Sequence, residues 1–178
     1  MPTVGAARPS RCPLCACASA PLGVAVVVVG HGLRARTVLG PPVLGAAPVR
    51  ASVMQRRFRC RACSAVIIVR PRGIADRVRY TATAIALALY RWSHDGCAGH
   101  VVAQQVSPQP PSLYTRQHGW RQLRRWSYAA KQIWGGLRLN QTVAALAMAA
   151  AVIAQLAAHC QNGATRTLDQ VWDGAHHA

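Results

Sequence analysis

The feature that most restricts the fold of this 178-residue chain is a pair of C-x2-C motifs, Cys12-Pro-Leu-Cys15 and Cys60-Arg-Ala-Cys63, separated by 44 residues. Two residues between thiolates let one tight turn offer both sulfurs to a single tetrahedral ion, with the turn's N–H groups aimed at the sulfurs. Two such turns complete a four-cysteine structural Zn²⁺ site, and the chain between them must leave the first turn and return to it. The Val-rich run and the Pro/Gly turns of 22–50 fit a β hairpin of that kind. The first twenty residues hold no long apolar stretch behind a basic start, so a secretory leader is not expected and disulfides are disfavoured. Cys17 is a spare thiol that competes with Cys15. Cys97 and Cys160 lack a partner pattern and read as small apolar residues, and His31 reads as a surface turn residue rather than a ligand.

The charge balance restricts the chemistry. There are 21 Lys+Arg against four acids (Asp76, Asp95, Asp169 and Asp173) and a formal net charge of +17. Four scattered carboxylates cannot form the acid–base pair of a glycosidase or the clustered ligands of a Mg²⁺ nuclease, so no enzyme is expected. Twenty of the 21 bases are Arg. A GC-rich coding bias explains Arg in place of Lys and the 33 Ala, but not the excess of base over acid. Arg forks match phosphate oxygens and guanine edges, so a polyanion is the expected partner, nucleic acid before membrane surface.

The expected fold class is α+β: a small β zinc ribbon, a helix-turn-helix-like unit and a C-terminal apolar helix. Strands are expected over 22–29, 51–59 and 65–69. Helices are expected over 81–92 with Thr81 as N-cap, over 99–106, from about Ser112 or Gln117 to Trp134, and over 142–160. This gives a zinc ribbon at 1–79, a reading unit at 80–136, an Ala-rich packing or dimerisation helix at 137–162 and a flexible tail at 163–178. In the third helix Trp120, Leu123 and Trp126 share one face, leaving Gln117, Arg121, Gln122, Arg124 and Arg125 on the others. In the last helix Ala144, Ala147, Ala151, Ala154 and Ala158 form a stripe suited to a homodimer, with Leu146, Ile153 and Leu156 as larger contacts.

Cys12-Pro-Leu-Cys15, Gly30-His31-Gly32, Arg57-Phe58-Arg59-Cys60-Arg61-Ala-Cys63 and Arg77-Val-Arg79-Tyr80 together resemble the zinc ribbon and following helix-turn-helix of insertion-sequence transposases and small bacterial zinc-ribbon proteins related to them. The resemblance covers about residues 11–130 and departs from that pattern in three ways: Ala16-Cys17 follows Cys15 where a Gly is usual, the insert is longer, and no catalytic transposase domain follows. It implies Zn²⁺ at Cys12, Cys15, Cys60 and Cys63, duplex DNA as partner, and a transposase or recombinase as a further one, in a cytoplasmic, nucleoid-associated protein. Arg121, Arg124, Arg125 and Gln117 are the expected DNA contacts of the helical unit, with Arg56, Arg57, Arg59 and Arg61 adding phosphate contacts from the ribbon. Three rival readings are an RNA- or ribosome-associated zinc ribbon, a small membrane-associated protein anchored by 142–158, and a remnant or partner subunit of a transposase, inactive alone.

Overall fold

The computed structural model describes residues 3–74, 78–139 and 143–177. The fold is α+β, a three-stranded antiparallel sheet with seven helices among the described residues. It divides into two compact units, Met1–Thr37 with Ser52–Pro71, and Val38–Ala51 with Arg72–Ala178.

The first unit opens with a single turn, α1 (Val4–Ala7), capped by the Thr3 hydroxyl. Three strands follow, β1 (Val28–Gly40), β2 (Val49–Cys60) and β3 (Val66–Val69), in the order β1-β2-β3; the last three residues of β1 and the first three of β2 belong to the second unit. β2 and β3 pair antiparallel, with Arg57 opposite Ile68 and Arg59 opposite Val66. The period of two along a strand puts Phe58 and Cys60 on the inner face. There they join Cys12 and Val28 in a small core against which Val27, Ile67 and Val69 pack.

The Val-rich run does not become a strand until Val28, because the chain turns at Gly23 (φ 72°) and the N–H groups of Val27 and Val28 both donate to the Ser19 carbonyl. The strand then continues through Gly30-His31-Gly32, where a turn is expected. Gly32 takes φ 86° inside β1, and the carbonyl of His31 accepts the Arg57 guanidinium at 3.2 and 3.3 Å.

The second unit is built around α2 (Ala82–Ser93). The Thr81 hydroxyl accepts the Ala84 N–H at 3.1 Å, an ordinary N-cap. Every residue from Ala82 to Tyr90 is buried, so α2 is a hub and not a helix with one packed face. Alternating Ala at 82, 84, 86 and 88 lets neighbours approach on all sides, while Ile85, Leu87 and Leu89 fill the gaps. Those neighbours are α3 (Gly99–Val106), α5 (Arg121–Ile133), α6 (Ala145–Ala158) and α7 (Thr167–His177). α4 (Leu113–His118) is short and buries nothing.

The single helix expected up to Trp134 is two, because Gly119 adopts φ 77° and separates α4 from α5. Gln117 therefore lies on α4, and Trp120 is the N-cap residue of α5. The chain after 163 is no flexible tail: α7 buries Val171, Gly174 and Ala175 against the large core. A Cβ at Gly174 would overlap the carbonyl of Leu156, so only glycine permits this approach of α7 to α6. α6 starts at Ala145, and Thr142, its expected start, lies outside the described residues. No helix among the described residues, α6 of the rival membrane reading included, is long and apolar enough to cross a membrane.

Candidate metal centre and basic surface

Each C-x2-C pair closes the same backbone turn. The Cys12 N–H donates to the Cys17 carbonyl at 2.9 Å, and the Cys60 N–H donates to the Ala65 carbonyl at 2.9 Å. The residue after the second cysteine is left-handed in both, Ala16 at φ 57° and Ser64 at φ 61°. Glycine usually fills that position because a Cβ there costs energy. Here the turn forms with Ala16 in that position. The two turns bring Cys12, Cys15, Cys60 and Cys63 together with all four sulfurs within 4.8 Å of one another.

Cys12 Sγ lies 3.7 Å from Cys63 Sγ, and Cys15 Sγ lies 3.7 Å from Cys60 Sγ. A tetrahedral ion with metal–sulfur bonds of about 2.3 Å sets its sulfurs about 3.8 Å apart, so the cluster has the dimensions of a four-thiolate site. Cys12 and Cys60 are buried, Cys63 is half-buried and Cys15 is exposed, giving the cluster one inner and one outer side. The cluster therefore can hold a metal ion.

The turns also tune the thiols. N–H groups of Cys63 and Ala62 aimed at Cys60 Sγ bring that thiol down to about 6. The Cys17 N–H holds Cys15 below its ordinary value in the same way. Cys63 accepts the Ala65 N–H, yet burial and the sulfurs of Cys15, Cys60 and Cys12 push it up to about 12. Backbone dipoles that favour thiolates at two corners suit a cation shared by all four. His31, exposed on β1, is not part of the cluster. Cys97 and Cys160 belong to the helical unit, each half-buried there.

Of the basic residues singled out from sequence, Arg121, Arg124 and Arg125 are exposed on α5, whose opposite side buries Leu123, Trp126, Ser127 and Ala130. Trp126 and Trp120 form edge-to-face pairs with Tyr80 and with each other at 5.0–5.8 Å, so both tryptophans serve the core side of the helix. The exposed stripe continues through Tyr128, Lys131 and Gln132, at the i, i+3/i+4, i+7 and i+10/i+11 positions from Arg121.

Sequence reasoning missed Lys131 and Tyr128, although extending the helical spacing two more turns points to them. It also missed Tyr114 and His118 of α4, whose rings lie 4.6 Å apart. Arg121 donates a hydrogen bond to the Tyr114 hydroxyl and lies 4.9 Å from its ring centre. No acidic residue occurs between Asp95 and Asp169, a stretch that holds seven bases. Asp95 itself is paired with Arg91 at 2.7 Å.

The ribbon arginines do not form one patch. Strand alternation places Arg56 on the side of Phe58 and Cys60, and Arg57 and Arg59 on the side of the partly exposed Ile68 and Val66. Arg57 is tied to the His31 carbonyl, while Arg59 and Arg61 are exposed. Along α6 and its N-cap, Ala144, Ala147, Ala151, Ala154 and Ala158 are exposed with Leu146, whereas Ile153 and Leu156, expected on the same contact face, are buried in the core. Compared with protein-family models, curated proteins and solved structures, the chain matches none.

Proposed function

We propose that this chain is a non-catalytic, zinc-stabilised DNA-binding protein, with Zn²⁺ held by Cys12, Cys15, Cys60 and Cys63 and α5 as the helix that meets the duplex. The observation that carries the reading is the exposed face of α5: Arg121, Arg124, Arg125 and Lys131 with Tyr128 and Gln132, on a helix without an acid. Its opposite face is fixed by buried Leu123, Trp126 and Ala130, so the cations are presented from a rigid element. Arg and Gln are the side chains that reach guanine and adenine edges bidentately, and in this reading α2, α3 and α5 are the helix-turn-helix, with α5 the reading helix. The transposase-related character rests on the motif resemblance alone, with Arg77 of that motif outside the described residues.

Binding of the full chain to mixed-sequence duplex DNA is the test. With about six phosphates neutralised, log K should fall with log salt at a slope near −5. The double substitution R124A/R125A should weaken binding about tenfold or more while the helical circular-dichroism signal is kept, since neither side chain packs in the core. A salt-independent affinity, or one untouched by that substitution, overturns the reading of α5. Tighter binding to structured RNA than to duplex DNA in direct competition would move the chain to the RNA-associated class.

A further inference from the structure

We propose that Cys17 is an alternative fourth ligand of the metal, interchangeable with Cys15, so that five thiols serve four coordination positions. The inference rests on reading the four-cysteine cluster as a metal site. The two turns are equivalent residue by residue: Cys12 matches Cys60, Cys15 matches Cys63, left-handed Ala16 matches left-handed Ser64, and Cys17 matches Ala65. In both turns the last residue contributes its carbonyl to the first cysteine's N–H and its N–H to the second cysteine's sulfur. Ala65 shows that a methyl group suffices for that duty. The thiol of Cys17 is therefore surplus to the turn.

It lies beside the exposed corner, outside the group of four mutually close sulfurs, so its side chain swings in when it takes the place of Cys15. Cys17 Sγ is 3.3 Å from Cys15 Sγ and 3.6 Å from Cys60 Sγ, the second distance matching the 3.7 Å edges of the four-cysteine cluster. Cys12 and Cys60 are buried and fixed, while Cys15 is the exposed corner with Cys17 half-buried beside it. Exchange at that corner breaks the metal–sulfur bond to Cys15 and forms one to Cys17. The proton released by the Cys17 thiol is taken up by the departing Cys15 thiolate, and no oxidant or reductant is involved. Damage to Cys15, the sulfur most open to solvent, then leaves the metal four-coordinate.

The experiment uses the full chain loaded with Co²⁺, whose sulfur-to-cobalt charge-transfer intensity counts thiolate ligands. The variants are C15S, C17S, C15S/C17S and C60S. Either single substitution at 15 or 17 should keep about one cobalt per chain and the four-thiolate spectrum. The double variant should lose that spectrum, with affinity falling by more than the roughly 10–100-fold typical of changes in outer-shell partners. A C15S protein that already shows the three-thiolate spectrum of the double variant overturns the inference.

Where C15S fails to fold, the zinc-loaded wild type is treated with a limiting alkylating agent and mapped by mass. Modification distributed over Cys15 and Cys17 with zinc retained supports exchange, and confinement to either one overturns it. If neither C60S nor the wild type binds cobalt, the metal reading itself fails, an outcome separate from the failure of exchange.

Discussion

At Ala16 and Ser64 the backbone takes a left-handed conformation that costs an L-residue about 1–2 kcal/mol relative to glycine. The fold keeps both residues because each turn must curl back far enough for its first cysteine's N–H to meet the carbonyl five residues on. Replacing Ala16 by Gly relieves the Cβ clash but loosens the unfolded chain by about 0.4–1 kcal/mol. The difference favours the folded state, so A16G should raise the stability of the metal-loaded protein by roughly 0.5–1 kcal/mol, read from urea midpoints. A fall in stability would mean that Ala16 contributes packing beyond the turn. At this scale the four cysteines that come together were legible in the sequence, because C-x2-C spacing is a local property of a turn. The sequence also marks Cys17 as a spare thiol, but its 3.6 Å approach to Cys60 Sγ depends on how two turns 48 positions apart, first cysteine to first cysteine, meet in space.

Among the elements, those with strong local signals came out as read. Thr81 caps α2, Gly99–Val106 is α3, and the strands around Cys60 fall near their expected limits. The misses have two causes: glycines at positive φ, Gly23 and Gly119, moved the start of β1 and split the helix before Trp134, and at α7 packing outranked local composition. α7 has a weak sequence pattern and forms because Gly174 lets it lie against Leu156. Adding one methyl there forces the helices apart, so Gly174→Ala should cost about 1–3 kcal/mol or more, measurable by thermal or denaturant unfolding. An unchanged melting temperature would show that α7 is not needed by the core.

The link between α6 and α7 is also held by Asp173, whose carboxylate accepts the N–H groups of Gln161 at 2.6 Å and Asn162 at 3.3 Å. Those bonds, with His177 alongside, hold Asp173 below the ordinary 3.8. A depressed carboxylate contributes stability that is present above the unfolded value and lost as pH falls through the folded one. The stability gap between wild type and D173N should therefore be constant well above pH 3.8 and close below it, as followed by denaturant unfolding at a series of pH values. A gap that persists in strong acid would assign the effect to something other than the charge.

For the molecule as a whole, two cores of unequal size imply two levels of dependence on the metal. The helical unit buries Ile85, Leu89, Leu123, Trp126, Trp134, Met148 and Leu156 with many neighbours, enough apolar surface to persist without an ion. Among the described residues, the apolar core of the β-rich unit has four buried residues, two of which, Cys12 and Cys60, are metal ligands in our reading. A core that small is marginal without an added tie, and when a metal is that tie its binding free energy becomes folding free energy. Chelation should then melt the first unit and leave the second folded. Amide hydrogen exchange in excess chelator should show protection lost over β3 and the adjoining part of β2 while α2 stays protected. R124A/R125A should leave that pattern unchanged, because it alters the charged surface of α5 and neither core. Uniform loss of protection through α2 on chelation would mean that the helical unit needs the metal as well, and the division of stability argued from the two cores would not stand.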